Sequence, residues 1–188
     1  DFQKLIQDSI ENIILNFVQD VDSLKDINTH LLEELILHNK YINKAEVYLN
    51  VEGTLKTNIE FRQPFIKLLK NNKVYYFDSA GVMLPNLLKV DENLLVLSGD
   101  FDEDVLIATY NLISQIYSKP LLNKLIGGVY YDNNKGYILS AKACDLSVYI
   151  GIQPVLDEAR INMIELFYNV LSVKLACGDC QAINITYD

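Results

Sequence analysis

A regular alternation of apolar and polar residues over residues 45–61 constrains the fold more than any other feature of this chain. The alternating positions are Ala45, Val47, Leu49, Val51, Leu55, Thr57, Ile59 and Phe61. Successive side chains of a strand point to opposite faces of a sheet, so both halves of this segment would bury the same face. Between them, Glu52-Gly53 places glycine second, as a tight primed turn requires. The segment therefore predicts a β-hairpin.

Two segments whose apolar residues have helical spacing precede the hairpin. Apolar residues three or four positions apart predict a first helix over residues 2–17, with Phe2, Ile6, Ile10, Ile13 and Phe17 on one face. A second face runs through Ile27, Leu31 and Leu35 and can extend to His38, with Ser23 or Asn28 available to cap the first amides. The first third of the chain thus predicts two helices and a hairpin.

Arg62-Gln63-Pro64 interrupts the second arm of the hairpin. Proline cannot donate to a strand ladder and it restrains the residue before it. We therefore predict two domains, residues 1–63 and residues 64–188. Beyond the boundary, short strands are predicted over residues 65–69, 74–77 and 82–84, arranged as a meander with turns at Asn71-Asn72 and at residues 78–81.

Strands and helices alternate through the rest of the chain. Acidic residues at 100 and 102–104 precede an apolar stripe of Val105, Ala108, Leu112 and Ile116, which predicts a helix that ends near Lys119-Pro120. Strands are predicted over residues 126–131, 137–142 and 146–150, and a last strand over residues 182–187. Pro154 can start a helix with Leu156, Ala159, Met163, Phe167 and Val170 on its buried face. The fold class is therefore α+β.

Composition and charge narrow the function. Half of the residues are hydrophobic, with eight Gly and four Pro, which excludes a disordered or collagen-like chain. The formal charge of −9 argues against a nucleic-acid partner, because such binding depends on Lys and Arg. No apolar stretch is long enough to span a membrane, and we expect any anchor to lie outside this sequence.

Cys177-Gly178-Asp179-Cys180 is the motif that most invites a chemical interpretation. It follows a predicted helix at its C-terminal end, where the dipole does not favour a thiolate, and only Cys144 remains as a further thiol ligand for zinc. A structural or incidental role is the preferred hypothesis, and a disulfide stays open. The acidic residues at 100–104 are explained as a helix start and His30 and His38 as surface residues, so we expect no cofactor, no metal and no enzymatic activity.

The order of helix, helix, hairpin, Arg-x-Pro and short strands resembles the FtsQ/DivIB family of cell-division proteins, in which a POTRA domain precedes a β domain. The segments that carry the resemblance are residues 23–64, YYFDSAGVMLP from Tyr75, VLSG at residues 96–99 and AINITYD at residues 182–188. The version is similar to that of Bacteroidota. Two departures stand out: the sequence lacks the strand that precedes the first POTRA helix, and Leu94-Leu95 replaces a usual proline.

The resemblance implies a non-catalytic divisome scaffold, anchored in the inner membrane by a single pass, with this part in the periplasm. It also implies that an FtsB-type protein, paired with an FtsL-type protein, adds a strand to the last strand of the β domain. The partner-binding residues carried over are Ala182, Ile183, Asn184, Ile185, Thr186 and Tyr187. Independently, a chain-terminal strand can offer unpaired backbone groups to a partner strand. Residues 183, 185 and 187 would share one face, and residues 184 and 186 the other.

Several hypotheses stay open. The scaffold could carry a second contact surface around the second helix. A POTRA-bearing binding module of outer-membrane protein assembly or secretion is the alternative, although the second half of the chain does not repeat the helix-helix-hairpin order. An enzyme that uses the two cysteines is a third, and the last strand could lie inside the sheet. Ile185→Pro is predicted to abolish partner binding while the domain still folds, and replacement of Cys177 and Cys180 by Ser to leave binding intact.

Overall fold

A computed structural model describes residues 2–19, 23, 26–85, 93–142, 145–174 and 181–186 of the chain. Within these ranges there are five helices and ten strands, and the prediction of an α+β fold is confirmed. The chain divides into two compact units. The first comprises residues 1–63 and 84–89, and the second comprises residues 64–83 and 90–188.

The first unit consists of two helices and a hairpin. Its elements are α1 (Phe2–Gln19), α2 (Thr29–Leu37), β1 (Ile42–Leu49) and β2 (Leu55–Phe61). One face of each element contributes to a shared core. The buried members of this core are Ile6, Ile10, Leu32, Ile36, Ile42, Ala45 and Val47.

The hairpin pairs in the register that places the alternating residues opposite one another, as with Val47 and Thr57. Its turn is wider than the sequence predicted. Asn50 accepts hydrogen bonds at Oδ1 from the amides of Glu52 and Thr54, and its own amide donates to the carbonyl of Thr54. Because these bonds close a loop over residues 50–54, Val51 is fully exposed, and its predicted burial was wrong.

Helix α2 begins where its cap predicts. The amide of Leu31 donates to Asn28 Oδ1 at 3.1 Å, which satisfies a free amide of the first turn. The buried residues, however, are Leu32 and Ile36, whereas Leu31 and Leu35 are exposed. The predicted burial of Ile27 is confirmed, but that of Leu31 and Leu35 was wrong by one residue, because the segment LLEELIL offers two apolar pairs with the same spacing of four.

Glu33 on α2 accepts a hydrogen bond from the backbone of strand β1. The amide of Val47 donates to Glu33 Oε1 at 2.7 Å. Glu33→Ala should therefore leave this amide without an acceptor and lower the free energy of unfolding of the first unit by about 2 kcal/mol. Amide hydrogen exchange at Val47 and urea unfolding followed by circular dichroism would measure both effects. Glu34→Ala is the control, because Glu34 is exposed and its surface pair with His30 contributes little. Equal effects of the two variants would contradict this role of Glu33.

The second unit contains a mixed sheet. Its strands are β3 (Ile66–Lys70), β4 (Lys73–Phe77), β5 (Met83–Leu84), β6 (Leu95–Gly99), β7 (Ile126–Asp132), β8 (Gly136–Ala141), β9 (Ser147–Gly151) and β10 (Ala182–Asn184). The sheet order is β10-β9-β8-β7-β6-β3-β4-β5. Strand β6 is parallel to both β3 and β7, and β10 is parallel to β9. The pairs β3–β4, β7–β8 and β8–β9 are antiparallel.

Three helices accompany this sheet: α3 (Glu103–Ser118), α4 (Pro120–Leu125) and α5 (Glu158–Lys174). Buried residues of α3, α5 and the strands form one core, with Leu112, Ile113 and Ile116 on α3 among its fully buried members. The Tyr117 hydroxyl donates to the carbonyl of Phe65 at 2.8 Å and accepts from the amide of Leu95 at 3.1 Å. This hydroxyl therefore ties the backbones next to β3 and β6 together.

Helix α5 differs from its prediction at its start and on its buried face. It begins at Glu158 rather than near Pro154, because Asp157 Oδ1 accepts from the amide of Arg160 and caps the first turn. Ile161 and Ile164 are buried, whereas Ala159 and Met163 are exposed. The predicted face containing Ala159 and Met163 was wrong, and this displacement leaves apolar side chains of α5 at the surface beside β10.

Candidate partner-binding edge

Strand β10 lies at one end of the sheet order. Its three residues pair in parallel with β9, Ala182 opposite Ser147 and Asn184 opposite Tyr149. Within the part of the chain that the structure describes, no strand pairs with the other side of β10. Residues 185 and 186 continue beyond the strand, and Tyr187, the last of the predicted partner-binding residues, lies outside the described residues.

Ile183 and Ile185 hold β10 onto the second unit. Ile185 is 2% exposed and belongs to the core, and Ile183 is partly buried against the same core. The amide of Ile185 donates to the carbonyl of Tyr149 at 3.0 Å. The sequence-based test with Ile185→Pro assumed a donor that faces outward, and this donor faces inward. Ile185 therefore holds the edge against the sheet and does not offer its amide to a partner strand.

The backbone groups that can face a partner belong to the residues between these anchors. The amide of Ser147 donates to the carbonyl of Gln181, and the amide of Ile185 donates to Tyr149, so the odd-numbered residues bond to β9. Backbone groups of successive strand residues point to opposite sides. The amide and carbonyl of Asn184 therefore point away from β9, toward the position that an added strand would occupy.

An apolar groove lies beside this edge. It has a volume of about 320 Å³ and is lined by Met163, Leu166, Phe167, Ile183, Asn184 and Ile185. Leu166 is 64% exposed and Met163 is 41% exposed. These side chains of α5 line the groove together with residues 183–185, so apolar side chains of an added strand can pack into it. Edge and groove together form one surface that combines backbone donors with apolar contact area.

Sequence reasoning identified the strand and missed the groove. Met163 and Phe167 were predicted as core residues, together with Leu156, and of these three only Leu156 is buried. The alternative set of Ile161 and Ile164 has the same helical spacing and is the one that is buried. A signal was present in the isoleucines, which are more often fully buried than methionine.

A second and larger groove lies between α3 and the strands β3 and β4. Its volume is about 540 Å³, and its lining includes Leu68, Phe77, Ile107 and Tyr110. The Tyr110 hydroxyl is buried, and no described residue forms a hydrogen bond with it. Burial, and then the nearby charge of Asp78, raise the pKa of this hydroxyl far above its usual range. Tyr110 therefore stays a neutral phenol.

The other candidate sites resolve into local structure or lie outside the described residues. Asp102 is the N-cap of α3 and accepts from the amide of Val105 at 2.8 Å, so the interpretation of the acidic segment as a helix start is confirmed. His30 is exposed beside Glu33 and Glu34. Cys144, Cys177 and Cys180 lie outside the described residues. Among the residues that are described, no three His, Cys, Asp or Glu side chains cluster as metal ligands.

None of the helices within the described ranges combines the length and the apolar character that crossing a bilayer requires. The longest, α1, has 18 residues.

The fold and the edge define the class of this chain as a two-unit α+β protein whose mixed sheet ends in a short strand beside an apolar helix surface. Residues 63–188 match the family model described as FtsQ/DivIB, C-terminal related. Because the match covers more than half of the sequence, the chain belongs to the FtsQ/DivIB family, and the resemblance identified from the sequence is confirmed. No curated protein matches the chain.

Family membership sets the biological context. It supports a role in cell division, in a family whose members are generally non-enzymatic and typically membrane-anchored. It also implies interactions with other divisome proteins. The matched segment contains all described residues of β10 and of the groove beside it.

Proposed function

We propose that this chain is a non-catalytic scaffold of the divisome that captures a partner by strand addition to β10. The partner is an FtsB-type protein together with an FtsL-type protein, and residues 182–187 form the capture edge. The observation that carries the proposal is the outward-facing backbone of Asn184 on an end strand, beside the exposed apolar side chains of α5. Strand addition obtains affinity from backbone hydrogen bonds and specificity from side-chain pockets, and this surface offers both.

The setting belongs to the same proposal. We infer that the chain is the periplasmic part of a protein held in the inner membrane by a single-pass anchor, and the inference is supported by the membrane anchoring that is typical of the family. Residues 1–63 are a POTRA-like domain and residues 64–188 are the β domain. The packing of α1 and α2 against the β1–β2 hairpin supports the POTRA assignment of the first unit.

Asn184→Pro tests the capture edge. Proline removes the amide that points away from β9 and leaves the bond from Ile185 to Tyr149 in place. We expect the affinity for the periplasmic segments of the FtsB- and FtsL-type proteins of the same organism to fall at least about tenfold. Isothermal titration calorimetry measures this change, and circular dichroism verifies that the variant is folded.

Asn184→Ala is the matched control for this experiment. It removes the same side chain and keeps the amide, so it should still bind the two segments. Equal binding by Asn184→Pro and the wild type would place the site elsewhere on the molecule. A folded wild-type chain that binds neither segment would overturn the proposed function itself.

A further inference from the structure

The Asn184 side chain folds back onto its own chain at the end of β10. Its Oδ1 accepts from the amide of Thr186 at 2.9 Å and from the hydroxyl of Thr186 at 2.6 Å. An Asn side chain that bonds two residues ahead forms an Asx turn, which competes with extended strand pairing for the same amide. Both residues are exposed, so this turn lies at the surface where a partner strand would arrive.

The turn holds the next donor that an added strand would need. Directly after β10 the amide of Ile185 faces β9, and continued strand geometry would direct the amide of Thr186 to the open side, as it does the amide of Asn184. The bond to Tyr149 shows that pairing with β9 continues to residue 185, one residue past the assigned end of the strand. Pairing with β9 therefore extends to residue 185, whereas the backbone groups that point to the open side end at Asn184.

We propose that Asn184 regulates the length of the capture edge by competing with the incoming strand for the amide of Thr186. This inference rests on the proposed function. In the closed form the outer edge ends at Asn184. Displacement of the side chain adds the Thr186 amide to the ladder and lengthens the edge by one donor. The closed form also shortens an exposed edge that could otherwise pair with other chains, a hazard that natural edge strands limit.

The competition has a predictable effect on affinity. A partner strand that engages Thr186 must first break the bonds to Asn184, so part of its binding free energy opens the turn. A variant with no acceptor at residue 184 is already open. Asn184→Val should therefore bind the periplasmic segment of the FtsB-type partner about fivefold more tightly than the wild type, mainly through faster association, because no opening step precedes pairing.

Ala182→Val separates opening of the turn from a gain in strand propensity. It introduces the same β-branched side chain on the same side of β10 and leaves the turn in place. Surface plasmon resonance with the immobilised partner segment compares the wild type and the two variants. The proposal is supported if Asn184→Val gains clearly more affinity than Ala182→Val, and it is overturned if the two gain equally or if Asn184→Val gains nothing.

Amide hydrogen exchange at Thr186 tests the turn without any partner. Exchange at Thr186 should be faster in Asn184→Val than in the wild type, whereas Asn184→Asp, which keeps an acceptor oxygen, should retain slow exchange. Equal exchange in the wild type and Asn184→Val would overturn the regulatory role even if the partner binds. Failure of the wild type to bind the segment, with the exchange difference present, would instead contradict the proposed function.

Discussion

Replacement of Gly99 by alanine is expected to lower the free energy of unfolding of the second unit by about 3 kcal/mol or more. Gly99 ends β6 with a φ angle of +115°, which side chains rarely adopt. A Cβ atom at this position would also lie 2.1 Å from the carbonyl oxygen of Tyr131 on the neighbouring strand β7. Backbone must move to relieve that overlap, and the two strands are in the middle of the sheet.

Gly81→Ala is the matched control for this prediction. Gly81 belongs to the same unit and has a φ angle of +79°, but an added Cβ atom would be no closer than 3.8 Å to its nearest neighbour, the Tyr110 hydroxyl. Its replacement should cost only the conformational penalty, about 1 kcal/mol. Guanidinium unfolding followed by far-ultraviolet circular dichroism measures both variants. Similar losses would contradict the importance of close approach between β6 and β7.

Ile185→Pro is expected to detach β10 from the sheet and thereby abolish partner binding. The variant loses the hydrogen bond to Tyr149 and a side chain that is only 2% exposed. Together these losses should lower the free energy of unfolding of the second unit by about 3 kcal/mol. Amide hydrogen exchange is the informative measurement, because the amide of Ser147 donates to Gln181 only while β10 is docked. Fast exchange at Ser147 is the expected result.

Two further variants separate the possible causes of the Ile185→Pro effect. Ile185→Ala keeps the amide and removes most of the buried side chain, so it isolates the packing contribution. Asn184→Pro should leave Ser147 protected while it weakens partner binding, because its lost donor faces away from β9. If Ile185→Pro kept both Ser147 protection and partner affinity, residue 185 would not be the anchor described above.

Much of the fold could be predicted because its periods and caps are local. The alternation over residues 45–61 predicts the hairpin, and the acidic residues at 100 and 102–104 predict the start of α3. Strand β6 was not predicted. Leu95 and Leu97 are fully buried and Val96 is also apolar, so the segment does not alternate, as is common for central parallel strands. The predicted meander of β3, β4 and β5 therefore missed that β6 lies against β3 on its other side.

The strand of the candidate site could be predicted from the sequence, but the surface that it forms with α5 could not. The residues of β10 follow from their pattern, but the direction of each backbone donor depends on pairing with β9, which is distant in sequence. The groove depends on which of two equally spaced faces of α5 is buried. The hydrogen bonds between Asn184 and Thr186 require atomic positions, since Asn-x-Thr alone does not specify a turn.

The parallel pairing of β10 with β9 also determines when the capture edge comes into existence. A parallel neighbour cannot be joined by a tight hairpin, and the chain between these strands includes α5. The contact between them spans more than thirty residues. Because closing so long a loop costs conformational entropy, we expect β10 to pair with β9 late in folding. During synthesis, residues 182–186 also leave the ribosome after strands β3 to β9 and helix α5. A partner that recognises the proposed edge would therefore select chains whose preceding sheet and helix have already assembled.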